Sequence, residues 1–125
     1  MKGLTLDSGA LIAFERRDLK VIDLITGTLR RQYELVVPAG VLAQVWRDPR
    51  RQVLLVRLLN SEGVEIEDFD AARAKRAGQL CGVAGTSDVV DASVVLCARA
   101  RSHRVVTSDP DDLRRLDPRI ELIVI

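Results

Sequence analysis

Gly3-Leu-Thr-Leu-Asp-Ser-Gly-Ala-Leu-Ile-Ala-Phe-Glu15 changes character at Asp7. Before it, Lys2 to Leu6 reads as a short strand. After it, Ser8 to Glu15 reads as a helix that starts at once. A strand passing directly into a helix is the first half of a strand–helix–strand unit, and the same alternation continues along the chain. Apolar Val21, Ile22, Leu24, Ile25 and Leu29 recur at helical spacing and predict a helix from Leu19 to Arg31. Glu34 to Val37 is a second strand. Pro38, at home in a first helical turn, opens a helix carrying Val41, Leu42, Val45 and Trp46 towards the core and ending near Asp48-Pro49. A further helix spans Arg50 to Leu59, Asn60 to Gly63 turn, and Val64 to Ile66 form a third strand. Asp68 to Val83 is a polar-faced helix. Thr86 or Ser87 caps a helix from Asp88 to Arg101. Arg104 to Thr107 is a fourth strand, Asp109 to Leu116 a short helix, and Ile120 to Ile125 a closing strand.

Strands that alternate with helices predict an α/β fold: a parallel sheet of about five strands with helices on both faces. The 125 residues fit one domain, 1–125, with no repeat or linker. At 47% hydrophobic and only 3% aromatic, the core must be built from Leu, Val, Ile and Ala. Lys and Arg total 19 against 18 Asp and Glu, so overall charge neither demands nor excludes a nucleic-acid partner. Two cysteines, Cys81 and Cys97, lie in apolar helical patterns as buried thiols, and with His103 as the one histidine they cannot form a common zinc cluster. No apolar run reaches the roughly 18 residues of a membrane span. Asp7 interrupts any signal-peptide pattern, so cytoplasm is the expected compartment.

Open α/β sheets place their sites beyond the carboxyl ends of the strands. Asp7 follows the first strand, and Asp109, in Thr107-Ser-Asp-Pro110, follows the fourth. Each has an ordinary use as a helix cap. Asp91 has no such use: it lies past the N-terminal residue that needs a cap in Asp88-Val-Val-Asp-Ala-Ser-Val-Val-Leu-Cys-Ala98, a helix apolar nearly all round, and no cation stands three or four residues away. A buried carboxylate needs a partner, either an arginine from elsewhere or a metal ion. Asp88 shares its helix face and is a first-turn acid or a fourth acid for the same ion. Asp111 and Asp112 read as structural acids that suit a helix N-terminus. Gly9 would let a ligand approach the backbone. Carboxylates about 4 Å apart repel by roughly 4 kcal/mol at an effective dielectric of about 20, which a divalent cation offsets.

Leu6-Asp-Ser-Gly-Ala-Leu-Ile-Ala13, Val37-Pro-Ala-Gly-Val-Leu-Ala-Gln-Val-Trp46, Thr86-Ser-Asp-Val-Val-Asp-Ala92 and Val105-Val-Thr-Ser-Asp-Pro-Asp-Asp-Leu113 together resemble a PIN domain, and more narrowly the VapC-type toxins of bacterial toxin–antitoxin pairs. The resemblance implies a PIN-like three-layer sandwich and an endoribonuclease that uses Mg2+ or Mn2+ to hydrolyse RNA, often tRNA or ribosomal RNA. It places catalytic and metal-binding acids on Asp7, Asp91 and Asp109, with Asp88 a further metal ligand and Thr107 or Ser108 hydrogen-bonding near the ion. It also implies a VapB-type antitoxin and a homodimer, with no membrane partner. The family's Glu on the helix after the second strand falls on or beside Gln44, which carries no charge. Either Asp88 supplies the missing carboxylate, or the chain is a non-catalytic PIN module that binds RNA or a protein.

Arg16, Arg17, Arg47, Arg50 and Arg51 are candidates to guide RNA phosphates, since phosphate contacts supply most non-specific affinity. His103 has no acidic or serine partner nearby in sequence and reads as a surface residue. A phosphoacceptor receiver domain would need paired acids after the first strand and a late lysine. Here Ser8 follows Asp7 and no lysine follows Lys75.

Overall fold

The computed structural model describes residues 3–125, so the expected start of the first strand at Lys2 lies outside the described residues. The elements run β1 (Gly3–Leu6), α1 (Ser8–Glu15), α2 (Leu19–Arg30), β2 (Glu34–Pro38), α3 (Ala39–Val45), α4 (Val53–Leu59), β3 (Val64–Glu67), α5 (Ala71–Ala84), α6 (Val89–Arg101), β4 (Arg104–Thr107), α7 (Pro110–Leu116) and β5 (Leu122–Val124). The five strands form one sheet in the order β3-β2-β1-β4-β5, and every neighbouring pair is parallel. The α/β architecture expected from the alternation of elements is therefore present. From β1 the chain winds outwards to β2 and β3, then crosses back to β4 and winds outwards the other way to β5. Right-handed crossovers put α1–α4 on one face of the sheet and α5–α7 on the other. Accordingly α1 packs on α2, α3 and α4, while α6 packs on α5 and α7.

The inner strands are buried on both faces, as parallel strands covered by helices must be. Leu4, Leu6, Leu35, Val36, Val37, Val105 and Val106 have no exposure at all. Helix α6 lies across the middle of the sheet, and everything from Ala92 to Ala98 is buried, which explains why its sequence is apolar nearly all round. Edge strands β3 and β5 are only partly covered. Cys81 and Cys97 are buried free thiols.

Several local expectations give way to the structure. Pro38 ends β2 and stands at the N-cap of α3, one position before the first helical residue. Helix α3 stops at Val45, because the Gln52 side chain accepts from the amides of Arg47 (2.8 Å) and Asp48 (3.1 Å) and holds residues 47–52 in a turn. Trp46, expected in the core, is instead the cap residue after α3 and is 37% exposed. Asp70 and Asp88, not Asp68 and Thr86 or Ser87, begin α5 and α6. Each caps its helix by accepting from an amide three residues on, Arg73 at 2.8 Å and Asp91 at 2.9 Å.

The largest correction is His103, which is buried. Its Nδ1 shares a hydrogen bond with Thr5 Oγ1 at 3.1 Å, and its Nε2 lies 2.9 Å from Glu34 Oε1 in a contact poorly aligned for a hydrogen bond. Burial lowers the pKa of the ring in spite of Glu34. On the same side of the sheet, Arg101 pairs with Glu34, Glu65 and Glu67, and Arg73 pairs with Glu67 at 3.2 Å.

Leu35 sits on an inner strand with no exposure. Leu35→Ala is expected to cost about 2–5 kcal/mol, read as a lower urea midpoint with an unchanged transition slope.

Candidate active site

The strand order reverses between β1 and β4, which lie side by side with Leu6 opposite Val106. Neighbouring loops diverge to opposite faces at such a point and leave a crevice at the carboxyl ends. Asp7 leaves β1 there as the N-cap of α1. It is 4% exposed; its Oδ1 accepts from the Ser8 amide at 2.7 Å and its Oδ2 from Thr107 Oγ1 at 2.9 Å. Thr107, the last residue of β4, also accepts from the Asp109 amide at 2.9 Å. One buried hydroxyl thus fixes the ends of both strands and the start of the loop to α7. Gly9 serves this junction too. A Cβ there would overlap Ser108 Oγ, so the glycine admits the β4–α7 loop rather than a ligand.

Helix α6 brings two more acids from the opposite face of the sheet. Asp88 caps it and Asp91 stands in its first turn. Burial, then the charges of Asp88 and Asp7, push the Asp91 carboxyl up to about 7. Burial also raises Asp7, outweighing the two hydrogen bonds that lower it, and the charges of Asp88 and Asp112 add to the rise. Asp109 is exposed. It occupies the N-cap position of α7 without capping it. A hydrogen bond with the Asp112 carboxyl is the main reason its pKa is raised, followed by slight burial and the charges of Asp112, Asp7 and Asp111.

The Asp7 charge therefore acts on Asp91 and Asp109, and the Asp88 charge on Asp7 and Asp91, although these acids come from three separate parts of the chain. Asp112 joins them: its charge acts on Asp7, Asp91 and Asp109 alike. The sequence reading passed over Asp112 because the helix dipole already gives a first-turn acid a reason to exist. The available signal was its position three residues after Asp109, on the same side of a helix that starts at a strand end. Gln44 is exposed on α3, a helix that borders α6 through Gly40 and Val90.

Arg104 aside, no Lys, Arg or His among the described residues lies within ion-pair distance of these five acids. Nor do any three of the His, Cys, Asp or Glu side chains already stand close enough to hold one metal ion. The donor set is nevertheless all oxygen and without a counter-charge, which is the chemistry that suits Mg2+ or Mn2+. Asp88 beside Asp91, and Asp112 beside Asp109, favour the protonated form of their neighbour, a preference that a bound cation would reverse.

A parallel α/β sheet with uncompensated acids at its switch point defines a class of protein with a polar crevice suited to cations. The PIN domain profile matches residues 4–118, and the chain belongs to the PIN domain family, whose members are generally nucleases. Comparison with curated protein sequences gives no match. Among solved structures, VapBC2 from Rickettsia felis bound to a promoter DNA fragment is similar, with 18% identity, a TM-score of 0.73 and 98% of each chain covered. FitAB bound to the IR36 DNA fragment follows at 16% identity and a TM-score of 0.65, covering 97% of this chain and 94% of that one. FitAcB from Neisseria gonorrhoeae has 15% identity and a TM-score of 0.62, with 96% of each chain covered. These likenesses establish the shared fold. Among the described residues, no single helix is long and apolar enough to cross a membrane.

The raised Asp91 pKa fixes the sign of a pH effect. Its folded value of about 7 exceeds its unfolded one, so the stability available at low pH is lost as pH rises through 7. In EDTA, Asp91→Asn is expected to be more stable than the parent above pH 7. That advantage should vanish below about pH 4, where both states of the parent are protonated. Urea midpoints measured across this range check it; a constant gap would assign the effect to packing instead.

Proposed function

We propose that this protein is a divalent-metal-dependent endoribonuclease of the VapC toxin type, held in check by a cognate antitoxin. The observation that carries the reading is the gathering of Asp7, Asp88, Asp91 and Asp109, with Asp112, at one switch point without a cation. Asp7 is buried and Asp91 half-buried among exposed Asp88, Asp109 and Asp112, so their like charges destabilise the fold unless a function offsets them, and raised carboxyl pKa values cluster at such sites. Asp7, Asp91 and Asp109, with Asp88, would hold the metal. When bound, Mg2+ or Mn2+ supplies the charge that acidifies a water and steadies a phosphodiester as it is attacked.

The chain's own residues prepare that chemistry. Thr107 and the Ser8 amide fix both oxygens of Asp7, so that carboxylate is oriented before any ligand arrives. Burial and the charges of Asp88 and Asp7 favour a proton on Asp91 without a cation, so a bound divalent ion would displace that proton and be held more weakly as pH falls. The antitoxin belongs to the proposal because the similar structures are VapBC and FitAB assemblies over nearly the whole chain.

A second reading, a PIN module that binds without cutting, is favoured by Gln44 and by the absence of a ready-made three-ligand set among the described residues. One experiment separates the two. Wild type is expected to cut RNA when Mn2+ is added, with Asp91→Asn slower by about 100-fold or more. Mn2+ should also raise the melting temperature of wild type more than that of the variant. Equal cutting by both proteins would take the nuclease assignment away from this site.

A further inference from the structure

Beside the acidic crevice, a groove of about 410 Å³ runs along the outer side of α1. Gly9 and Ser108 line its inner end, where the β1 and β4 junctions meet the site. Ile12 and Ile125 line its length, and Arg16 stands at its outer end. Gly9, Ile12 and Arg16 are spaced to lie along one side of a helix. Two features distinguish the groove from ordinary surface. Ile12 and Ile125 are 39% and 40% exposed, an apolar floor open to solvent. Arg16 has no acidic partner among the described residues. Asp18, which also lines the groove, is occupied in capping α2: its Oδ1 accepts from the amides of Lys20 at 3.0 Å and Val21 at 3.2 Å.

The other arginines are differently placed. Arg50 and Arg51 face Asp48 at 3.3 and 4.0 Å. Arg47 donates to the carbonyls of Ala43 and Trp46 at 3.1 and 2.7 Å. Arg17 occupies the left-handed turn after α1, with a φ of 62°, and does not line the groove.

We infer that this groove is the track along which single-stranded RNA leaves the site, with Arg16 binding a phosphate of the flanking strand and Ile12 and Ile125 contacting its sugars and bases. The inference rests on the nuclease reading above and adds the position of the substrate strand. An arginine without an acidic partner among the described residues, and the groove's continuity through Gly9 and Ser108 with the strand-end acids, carry it. The helix from Gly9 to Arg16 is about 10 Å long, the rise of about three stacked nucleotides. Arg16 thus meets a phosphate beyond the reacting one, about a helix length from the strand-end acids, with Asp18 the acid that shares the groove lining. A guanidinium fork suits that contact.

The test uses a fluorescent single-stranded RNA of mixed sequence, titrated onto Asp91→Asn protein so that binding is read without cleavage. Adding Arg16→Ala is expected to weaken binding about 10-fold and to reduce the slope of log affinity against log salt by about 0.7, the loss of one phosphate contact. Arg16→Lys should keep the slope, Ile12→Glu should weaken binding as much as Arg16→Ala, and Arg50→Ala should change neither quantity. If Arg16→Ala behaves like Arg50→Ala, the track is overturned, and a protein segment becomes the better occupant. Cleavage by the same variants with Asp91 intact separates the two ideas. Loss of binding with Arg16→Ala in a protein that never cuts RNA would refute the nuclease and leave the track standing. A parent that binds no RNA would refute both.

Discussion

Like-charge repulsion at the β1–β4 switch point is the constraint on which the interpretation of this fold depends. The protein is able to neutralise acids where it needs to. On the α5–α6 side of the sheet, Arg101 answers Glu34, Glu65 and Glu67, Arg73 adds a second cation on Glu67, and His103 packs against Glu34. Those groups are partly buried and mutually compensated, so removing one partner would strand another. At the carboxyl ends of the strands the opposite policy holds. Burial and neighbouring carboxylates raise Asp7 and Asp91, and Asp112 raises Asp109. The contrast within one small domain argues against a general shortage of cations as the cause, since 19 Lys and Arg residues are present.

Topology decides where that repulsion is concentrated. In the order β3-β2-β1-β4-β5, the first strand ends up beside the fourth although about a hundred residues separate them. Thr107 exploits this adjacency by bonding both Asp7 and the Asp109 amide, so two acids distant in sequence are fixed relative to each other by one buried hydroxyl. Ser108 packs into the space left by Gly9 and locks the same junction from outside. Helix α6 then delivers Asp88 and Asp91 from the other face, held there by the burial of everything from Ala92 to Ala98. The site is a by-product of ordinary sheet and helix packing, with no local strain needed to assemble it.

What the sequence made legible follows from the range of the forces involved. Periodicity and alternation are local, so the parallel α/β order and the strand-end positions of Asp7 and Asp109 could be read directly. Asp91 could be singled out because a carboxylate on an apolar helix face is anomalous without any partner being known. His103 could not be placed, because Thr5 and Glu34, which bury it, come from other strands. Asp112 was hidden by a sufficient local explanation, the helix dipole. The boundary at Trp46 was missed because the Gln52 side chain ends the helix from outside, by occupying amides that α3 would otherwise have continued through. In each case the missing information was a tertiary contact, not a propensity.

A net charge of +1 has a consequence for any polyanionic substrate. The molecule as a whole exerts little pull on RNA, so affinity has to come from a few placed cations. Under the proposed function, the strand-end acids would repel phosphate in the absence of a divalent ion and admit it once that charge is supplied. A cation set close to the acids would pair with them and weaken their hold on the metal. Arg16, about a helix length from Asp7 and without an ion-pair partner among the described residues, avoids this conflict. Under the proposed function, capture of the strand and reaction at its phosphate would be separate tasks on the same helix: α1 is anchored by Asp7 at one end and carries the arginine just past the other.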